Sequence, residues 1–262
     1  MKLGMMLLLL MAMASCMSEK QFKENMRRSL KEDPKILTEA IEENYQLFFT
    51  AMQNASRKQQ LVTAQQQQDT EKKQMEESFR QPFSPQIRAD EAIRGNAQAP
   101  LLLIMYSDFQ CPYCSKGYQN VKELQKIFGD KIKYVYKHLP LDFHPQAMFA
   151  AQYFEAIRLQ SNQKAFKFHD LVFENQGKVN EGEKFFKELA QKAGADMKKL
   201  VVDLKSDEIK QRIKEDSQEA AQMGMQGTPG FLLNGIPVRG AYPVDYFVNL
   251  VDELKKRGKV TL

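Results

Sequence analysis

Two cysteines, Cys111 and Cys114, stand at the junction of a predicted strand and a predicted helix. Residues 100–106 begin with a proline and continue as an apolar run, which indicates a buried strand. Residues 115–128 then carry apolar side chains at helical spacing: Tyr118, Val121, Leu124, Ile127 and Phe128. The Cys-Pro-Tyr-Cys segment therefore lies where a helix begins, and this placement constrains the fold more than any other stretch of the chain.

A helix N-terminus favours the charged form of a cysteine. The free amide groups of the first turn and the positive end of the helix dipole both stabilise an anion. In a Cys-X-X-Cys segment at such a position, the pKa of the first cysteine falls from about 8.5 to roughly 3.5–7.5. The pattern predicts that Cys111 is a nucleophilic thiolate and that Cys114 is the second, resolving thiol.

Residues 1–16 have the features of a secretory signal. Lys2 supplies a positive start, and an apolar stretch too short to span a bilayer leads to small residues before Cys16. The end of this segment resembles a bacterial lipobox, except that Met13 stands where leucine is usual. The resemblance implies that Cys16 is lipidated and becomes the first mature residue, in the bacterial cell envelope, facing the periplasm or at the outer membrane. The alternative is cleavage after Ala14, which leaves Cys16 as a free thiol.

The chain contains three cysteines and three histidines. With Cys16 assigned to a lipid, Cys111 and Cys114 have no other partner. A disulfide across so short a loop constrains little of the unfolded chain, so a structural role explains the pair poorly. A structural zinc site normally has four ligands, and no second ligand pair occurs at short spacing. We therefore predict redox chemistry, with no metal and no cofactor.

Residues 17–90 form a predicted helical extension and linker. Asp33 and Pro34 fit an N-cap and a first helical position, and a helix is predicted over residues 35–78. Its apolar side chains recur every seven residues, as in a coiled coil: Ile41, Phe48, Ala55 and Val62. This stripe could be buried against the catalytic domain or could mediate self-association. We favour self-association because the helix is long and has no internal caps. Residues 81–85, which include two prolines, are predicted to be a linker.

Residues 91–262 are predicted to form the catalytic domain. Residues 131–138 alternate polar and apolar side chains, so they form a second strand, parallel to the first. Residues 144–225 are helical almost throughout, and His169 among them is expected to be a packed or surface residue, not a ligand or base. A hairpin then follows, with Asn234-Gly235 as its turn and Pro237 marking an edge strand. The last helix is predicted over residues 243–256.

This order of elements resembles the thioredoxin fold with an inserted helical domain, as in the DsbA-like family of bacterial thiol-disulfide oxidoreductases. The resemblance covers about residues 90–260 and rests on the octapeptide at residues 107–114 together with Gly-Thr-Pro at residues 227–229. It implies an α/β thioredoxin fold, with the helical insertion at about residues 141–225 and the helical extension in front of it.

The resemblance also assigns residues to the site. It implies that the Thr228-Pro229 bond is cis and that this proline packs against the cysteines. The implied substrate contacts are Pro112, Tyr113, Thr228 and Pro229. Two positions depart from the family pattern. Met105 stands where many relatives have a buried glutamate that accepts a proton, and Tyr113 stands where the strongest oxidants have histidine, which implies a less oxidising couple.

The sequence therefore predicts an exported thiol-disulfide oxidoreductase that acts on cysteines of secreted proteins as an oxidase, an isomerase or both. The expected partners are unfolded or misoxidised exported proteins, a membrane redox partner and further copies of the chain, and self-association favours the isomerase direction. The net charge of +5 is spread among interspersed acids and bases, so no nucleic-acid partner is predicted. The alternative is a non-catalytic lipoprotein whose redox fold binds partner proteins or a metal. A reduction-potential titration separates the two, because a binding module need not cycle.

Overall fold

The computed structural model describes residues 18–262, so the predicted signal segment and Cys16 lie outside the described residues. The chain divides into two units, residues 1–71 and residues 72–262. In the part of the chain that is described, no helix combines the length and the hydropathy needed to cross a bilayer.

The extension is helical, as predicted, but its helix boundaries differ from the prediction. Its helices are α1 (Glu19–Glu32), α2 (Lys35–Glu43) and α3 (Tyr45–Arg80). The single helix predicted over residues 35–78 is wrong, because α2 ends at Asn44. The side-chain amide of Asn44 donates to the carbonyl oxygen of Ala40 at 3.1 Å and satisfies a group that the ended helix leaves free. The helix begins at Lys35, one residue later than an N-cap at Asp33 predicts, with Pro34 as the N-cap; the Asp33 carboxylate still accepts from the N–H of Lys35 at 3.1 Å.

The last turns of α3 belong to the second unit, residues 72–262. Phe79 is buried in the core of that unit, and the Arg257 guanidinium lies 4.2 Å from the centre of its ring. The Glu76 carboxylate accepts two hydrogen bonds from Arg257, at 2.9 and 2.8 Å. Among the described residues the division falls between Glu71 and Lys72, so these turns belong to the second unit. The domain boundary at residue 90 stays a prediction.

The second unit, residues 72–262, is built on a five-stranded sheet. Its strands are β1 (Ile93–Arg94), β2 (Leu101–Ser107), β3 (Ile132–His138), β4 (Gly230–Leu233) and β5 (Ile236–Arg239), in the order β1-β3-β2-β4-β5. Strands β2 and β3 are parallel, as predicted, with Leu101 opposite Ile132. Strand β4 is antiparallel to both β2 and β5. Strand β1 was not predicted, because two residues are too few to show a periodicity.

The remaining helices are α4 (Pro112–Phe128), α5 (Ala147–Arg158), α6 (Asn162–Glu174), α7 (Glu183–Ala193), α8 (Met197–Asp203), α9 (Asp207–Gln222) and α10 (Val244–Lys256). Helices α5 to α9 lie between β3 and β4 and form the predicted insertion. Helix α4 connects the parallel strands β2 and β3, which is the connection that parallel pairing requires. The α/β thioredoxin fold with a helical insertion is therefore confirmed.

Both faces of the central strands are buried, which accounts for the continuous apolar run in β2. Leu103 and Met105 lie on one face, in the main core with α4, α10 and the insertion. Ile104 and Tyr106 lie on the opposite face, where they pack near the end of α9. A strand covered on one face only would have shown alternating polar residues instead.

The predicted hairpin is also present. Asn234 and Gly235 have φ values of 47° and 86°, the left-handed geometry that a two-residue hairpin turn requires. Pro237 lies on β5, the edge strand, as predicted. The residues predicted to be a linker pack on this turn: the N–H of Phe83 donates to the carbonyl oxygen of Gly235 at 2.9 Å.

His169 is a core residue, which confirms that it packs. Its ring is fully buried and lies 4.6 Å from the Tyr136 ring and 5.0 Å from the Phe173 ring, centre to centre. Its Nδ1 atom is 2.8 Å from the Asp170 carboxylate. Burial lowers the pKa of His169 to about 4, although the Asp170 hydrogen bond opposes this shift.

This buried histidine makes the stability of the protein depend on pH. The unfolded chain takes up the proton near pH 6.5, whereas the folded chain does not until about pH 4. Stability that is present above pH 6.5 is therefore lost as the pH falls towards 4, by about 3 kcal/mol in all. Urea unfolding near pH 7 and near pH 4.5 should show a larger loss of unfolding free energy for the unaltered protein than for His169→Gln, whose side chain does not titrate. Equal losses in the two proteins would show that His169 is not protonated on unfolding.

Candidate active site

The cysteine pair begins helix α4. Cys111 is the N-cap, with extended backbone angles, and Pro112 is the first helical residue, where its missing N–H is no loss. The N–H of Cys114 donates to the carbonyl oxygen of Cys111 at 3.0 Å and closes the first turn. Cys111 is 4% exposed and Cys114 is fully buried, and neither forms a disulfide.

The two sulfurs have opposite acidities. The thiol of Cys114 donates to the Cys111 sulfur and lowers its pKa to about 5, against the effect of burial. The Thr228 side chain and the backbone N–H groups of Tyr113 and Cys114 lower it further. Burial, together with that same bond and the charge on Cys111, raises the pKa of Cys114 well above its usual value. At neutral pH the site therefore holds a Cys111 thiolate beside a protonated Cys114.

The distant Thr-Pro turn lies against the first cysteine. The Thr228-Pro229 peptide bond is cis, and the thiol group of Cys111 lies 3.5 Å from the carbonyl oxygen of Thr228. Thr228 is half-buried and Pro229 is buried. The structure thus brings together the cysteine pair and the turn from the end of the insertion, as the resemblance implies.

Helix α4 can approach this turn closely because it carries a glycine. A Cβ atom on Gly117 would lie 2.7 Å from Met105 Cε, 3.0 Å from Phe231 Cζ and 3.2 Å from Pro229 Cγ. Any larger residue would therefore push the helix away from both the sheet and the proline.

The other predicted substrate contacts lie at the surface. Pro112 and Tyr113 are exposed at the start of α4, and 60% of Tyr113 is accessible. The Lys116 ammonium lies 5.4 Å from the centre of the Tyr113 ring. These two residues and Thr228 flank the Cys111 sulfur, so a segment reaching Cys111 would meet them.

Asp108 holds the loop in front of the cysteines. Its buried carboxylate accepts from the N–H of Gln110 at 2.7 Å and from the N–H of Leu141 at 2.9 Å, and lies 2.7 Å from Nδ1 of His144. Its own N–H donates to the Cys114 sulfur at 3.4 Å. Our sequence reasoning missed this residue, although an aspartate that bonds two residues ahead is a recognisable turn signal.

The insertion also positions the cysteine loop. The side-chain amide of Gln176 donates to the carbonyl oxygens of Phe109 at 2.9 Å and Cys111 at 2.8 Å. The Phe109 ring packs 5.2 Å from the Phe173 ring and 4.9 Å from the Tyr136 ring. No sequence signal marks Gln176, because its partners lie far away along the chain.

The residue at position 105, where many DsbA-like proteins are expected to have a glutamate, supplies no carboxylate to the site. Met105 is fully buried, and its sulfur accepts a hydrogen bond from the Tyr134 hydroxyl at 3.5 Å. Within residues 18–262, no group of three or more histidine, cysteine or acidic side chains could hold a metal ion.

The sequence model of the thioredoxin family matches residues 87–253, more than half of the chain. The chain belongs to the thioredoxin family. A thioredoxin-like oxidoreductase from Silicibacter pomeroyi is 25% identical, with a TM-score of 0.59 over 64% of this chain and 94% of that one. The thiol-disulfide exchange protein alpha-DsbA2 from Wolbachia pipientis has the same fold: 21% identity and a TM-score of 0.59 over 71% of this chain and 96% of that one. The resemblance to DsbA-like proteins is thus confirmed at the level of the fold.

Curated relatives of this thioredoxin-family chain carry a different name. The Na(+)/H(+) antiporter NhaA 1 of Mycolicibacterium vanbaalenii is 33% identical over 153 residues, which are 57% of this chain and 24% of the relative. The NhaA antiporter of Herminiimonas arsenicoxydans is 33% identical over 181 residues, 69% of this chain and 27% of the relative. The chain spans about a quarter of the length of these relatives, so the antiporter name describes proteins of which this chain matches only a part.

We expect the ultraviolet absorbance of the thiolate to titrate with a midpoint near pH 5 in protein that carries Cys16→Ser, because Cys111 is then the acidic thiol. Adding Cys111→Ser should remove this transition. Adding Cys114→Ala should raise the midpoint by about one pH unit, since it removes one hydrogen bond to the thiolate. A midpoint near 8.5 in the Cys16→Ser protein would contradict the assignment of Cys111 as the thiolate.

Proposed function

We propose that this protein is an exported thiol-disulfide oxidoreductase that acts on cysteines of secreted proteins through Cys111 and Cys114. The observation that carries the proposal is the state of the Cys111 sulfur. It begins a helix, and the hydrogen bond from the Cys114 thiol, with the backbone N–H groups of Tyr113 and Cys114, lowers its pKa to about 5. A thiolate at neutral pH is the nucleophile that thiol-disulfide exchange requires.

In the reducing direction, the Cys111 thiolate attacks one sulfur of a substrate disulfide, and the other substrate sulfur leaves as a thiolate. Cys114 then loses its proton and attacks the Cys111 sulfur, which releases the substrate thiolate and leaves a Cys111–Cys114 disulfide. In isomerisation, another substrate thiolate displaces Cys111 before Cys114 acts. Oxidation is the reverse of the first sequence. Net reduction or oxidation leaves the pair in its other redox state, so we propose a membrane redox partner that restores it.

Unfolded or misoxidised exported proteins fit the site as substrates. Backbone groups of Thr228 can pair with an extended segment, which provides affinity without selecting a sequence. Pro112 and Tyr113 are exposed beside the sulfur and offer apolar contact to whatever side chains flank the substrate cysteine.

Two cysteine substitutions test this function. Cys111→Ser should abolish insulin reduction, because it removes the attacking sulfur. Cys114→Ala should instead accumulate mixed disulfides with substrate, because nothing resolves them. Cys16→Ser is the matched control and should leave turnover intact. Full activity of Cys111→Ser would overturn the proposal, and a pair that binds partners but never cycles in a reduction-potential titration would favour the non-catalytic alternative.

We also propose that the protein reaches the cell envelope and is anchored there through a lipid on Cys16. The support is the signal-like segment at residues 1–16 and its lipobox-like end. The intact mass of the mature protein decides the matter: a mass in excess of residues 16–262 by a lipid supports the anchor, and an unmodified mass excludes it.

The extension supports a further part of the proposal, self-association of the chain. No residue among residues 18–71 is buried, although this segment is rich in large apolar side chains. Exposed examples are Leu37, Phe48, Phe49, Met52, Leu61 and Val62. Apolar surface of this extent is covered in a stable protein, and a second copy of the same helices offers a matching stripe. An oligomer suits the isomerase direction, because it keeps a monomer-specific oxidase away from the pair.

Light scattering tests the oligomer. The mature protein should have a mass of at least two chains, and Phe48→Asp combined with Met52→Asp should lower it, because charge then replaces apolar contact. Val202→Asp is the matched control: Val202 is also exposed, but it lies on α8 of the second unit, so the mass should not change. A monomeric unaltered protein would remove both the oligomer and the preference for isomerisation.

A further inference from the structure

Two buried hydroxyl groups beside the resolving cysteine have no partner. Ser107 is the last residue of β2, and Tyr136 lies on the neighbouring strand β3. Both side chains are 1% exposed. Among the described residues, neither Ser107 Oγ nor the Tyr136 hydroxyl oxygen has a hydrogen-bond partner. A buried polar group without a partner costs free energy, so we expect another state of the site to supply that partner.

Both residues lie on the side of the sheet that holds Cys114, since Tyr136 and Cys114 belong to one buried cluster. The residue that follows Ser107 donates its N–H to the Cys114 sulfur at 3.4 Å, which brings the end of β2 against that sulfur. Burial raises the pKa of Cys114, and the Ser107 hydroxyl opposes this rise. Burial and the charge on Cys114 raise the pKa of Tyr136, and the Ser107 hydroxyl opposes that rise as well. In the parallel ladder Met105 lies opposite Tyr136, and Ser107 follows Met105 by two residues, so Ser107 and Tyr136 share one face of the sheet beside Cys114.

Within residues 18–262, we find no free carboxylate beside Cys114. The titratable groups around the sulfur and the two hydroxyls are Cys111, Tyr134, Asp108, His138 and His169. The carboxylate of Asp108 is engaged by two backbone N–H groups and His144. Nε2 of His138 is engaged by the Glu155 carboxylate at 3.0 Å. Met105, in the same buried cluster as Cys114, is apolar.

We propose that Ser107 and Tyr136 form a chain of hydrogen-bond donors. This donor chain stabilises the negative charge of the Cys114 thiolate when Cys114 attacks the mixed disulfide. The phenol of Tyr136 donates to Ser107 Oγ, and the Ser107 hydroxyl donates to the Cys114 sulfur. The inference rests on the proposed function, because it concerns the second step of that reaction. Ser107 and Tyr136 are positioning residues here, since the bond that forms joins two sulfurs.

Atoms and electrons balance in this step without either hydroxyl acting as a base. The Cys114 sulfur forms a bond to the Cys111 sulfur, the bond between Cys111 and the substrate sulfur breaks, and its electron pair leaves with the substrate sulfur. The proton that Cys114 gives up ends on that leaving thiolate or in water. Both hydroxyls keep their own protons, so their role is to stabilise the negative charge while it is on Cys114.

The resting geometry fits this role. A thiol is a weak hydrogen-bond acceptor, whereas a thiolate is a strong one, so donors placed for the thiolate remain unbonded beside the thiol. Donors fixed in advance stabilise a transient charge without reorganising. The Thr228 hydroxyl is a third unpartnered group near Cys114. It lowers the pKa of both Cys111 and Cys114, so removing it would not test Cys114 alone.

A two-phase reaction isolates the step. Reduced full-length protein carrying Cys16→Ser is mixed with an excess of an aromatic disulfide that releases a coloured thiolate. Attack by Cys111 releases the first thiolate, and attack by Cys114 on the mixed disulfide releases the second. Ser107→Ala should slow the second phase by up to about tenfold, because it removes a hydrogen bond to a charged group and so lowers the thiolate fraction of Cys114. Its pH midpoint should rise by about one unit, while the rate of the first phase stays unchanged.

The matched substitutions are on β3. Tyr136→Phe should slow the second phase by about threefold, since Ser107 then donates without polarisation by the phenol. Tyr134→Phe is the control: it makes the same change in a fully buried tyrosine on the same strand, and the second phase should keep its rate. The double variant Ser107→Ala/Tyr136→Phe should be no slower than Ser107→Ala, because Ser107→Ala already removes the hydroxyl through which Tyr136 acts on the sulfur.

The outcomes separate this inference from the proposed function. If the unaltered protein shows a first phase and no second, Cys114 is not the resolving thiol and the proposed function fails. If both phases occur and Ser107→Ala keeps the second-phase rate and midpoint, the donor chain is wrong and the function stands. Should Ser107→Ala fail to fold, Tyr136→Phe decides, because it keeps the ring and removes only the hydroxyl. An equal effect of Tyr136→Phe and Tyr134→Phe would also overturn the donor chain.

Discussion

The site depends on the contact between the start of helix α4 and the Thr228-Pro229 turn. The helix start supplies N–H groups and the adjacent Cys114 thiol as donors to the Cys111 sulfur, and the turn lies against that sulfur, with the Thr228 carbonyl oxygen 3.5 Å away. The two segments are more than a hundred residues apart in the chain, so tertiary packing alone holds them together. Gly117 permits this packing, because a Cβ at that position would collide with Met105, Phe231 and Pro229 at once.

The helical insertion is part of the site as well as a cover for the sheet. Gln176 bonds the carbonyl oxygens of Phe109 and Cys111, and the segment that enters the insertion is bonded to Asp108 through the N–H of Leu141 and His144. Aromatic rings of α6 surround Phe109. The loop that carries the nucleophile is therefore fixed from the sheet on one side and from the insertion on the other, which preorganises the sulfur for attack.

The two cysteines share one environment but differ in charge. Cys111 borders the surface and accepts several hydrogen bonds, whereas Cys114 is buried beneath it and donates one of them. A carboxylate at residue 105 would give Cys114 a nearby base, but methionine occupies that position and makes an apolar contact. The buried hydroxyls of Ser107 and Tyr136 are among the unpartnered polar groups near Cys114, so the second step of the exchange is where we expect this chain to differ from proteins with a buried acid at residue 105.

Local sequence patterns determine several secondary-structure elements of this protein. The apolar run of β2, the helical spacing of α4 and the Asn234-Gly235 turn follow from rules that act over a few residues, so they could be predicted from the chain alone. The break at Asn44, the two-residue strand β1 and the burial of Phe79 could not, because each depends on a contact or on too short a signal. The cysteine pair was recognisable as a site, yet its acidity and the roles of Asp108, Gln176 and Ser107 were decided by folding. Those properties come from groups that only the tertiary structure brings within hydrogen-bonding distance of one another.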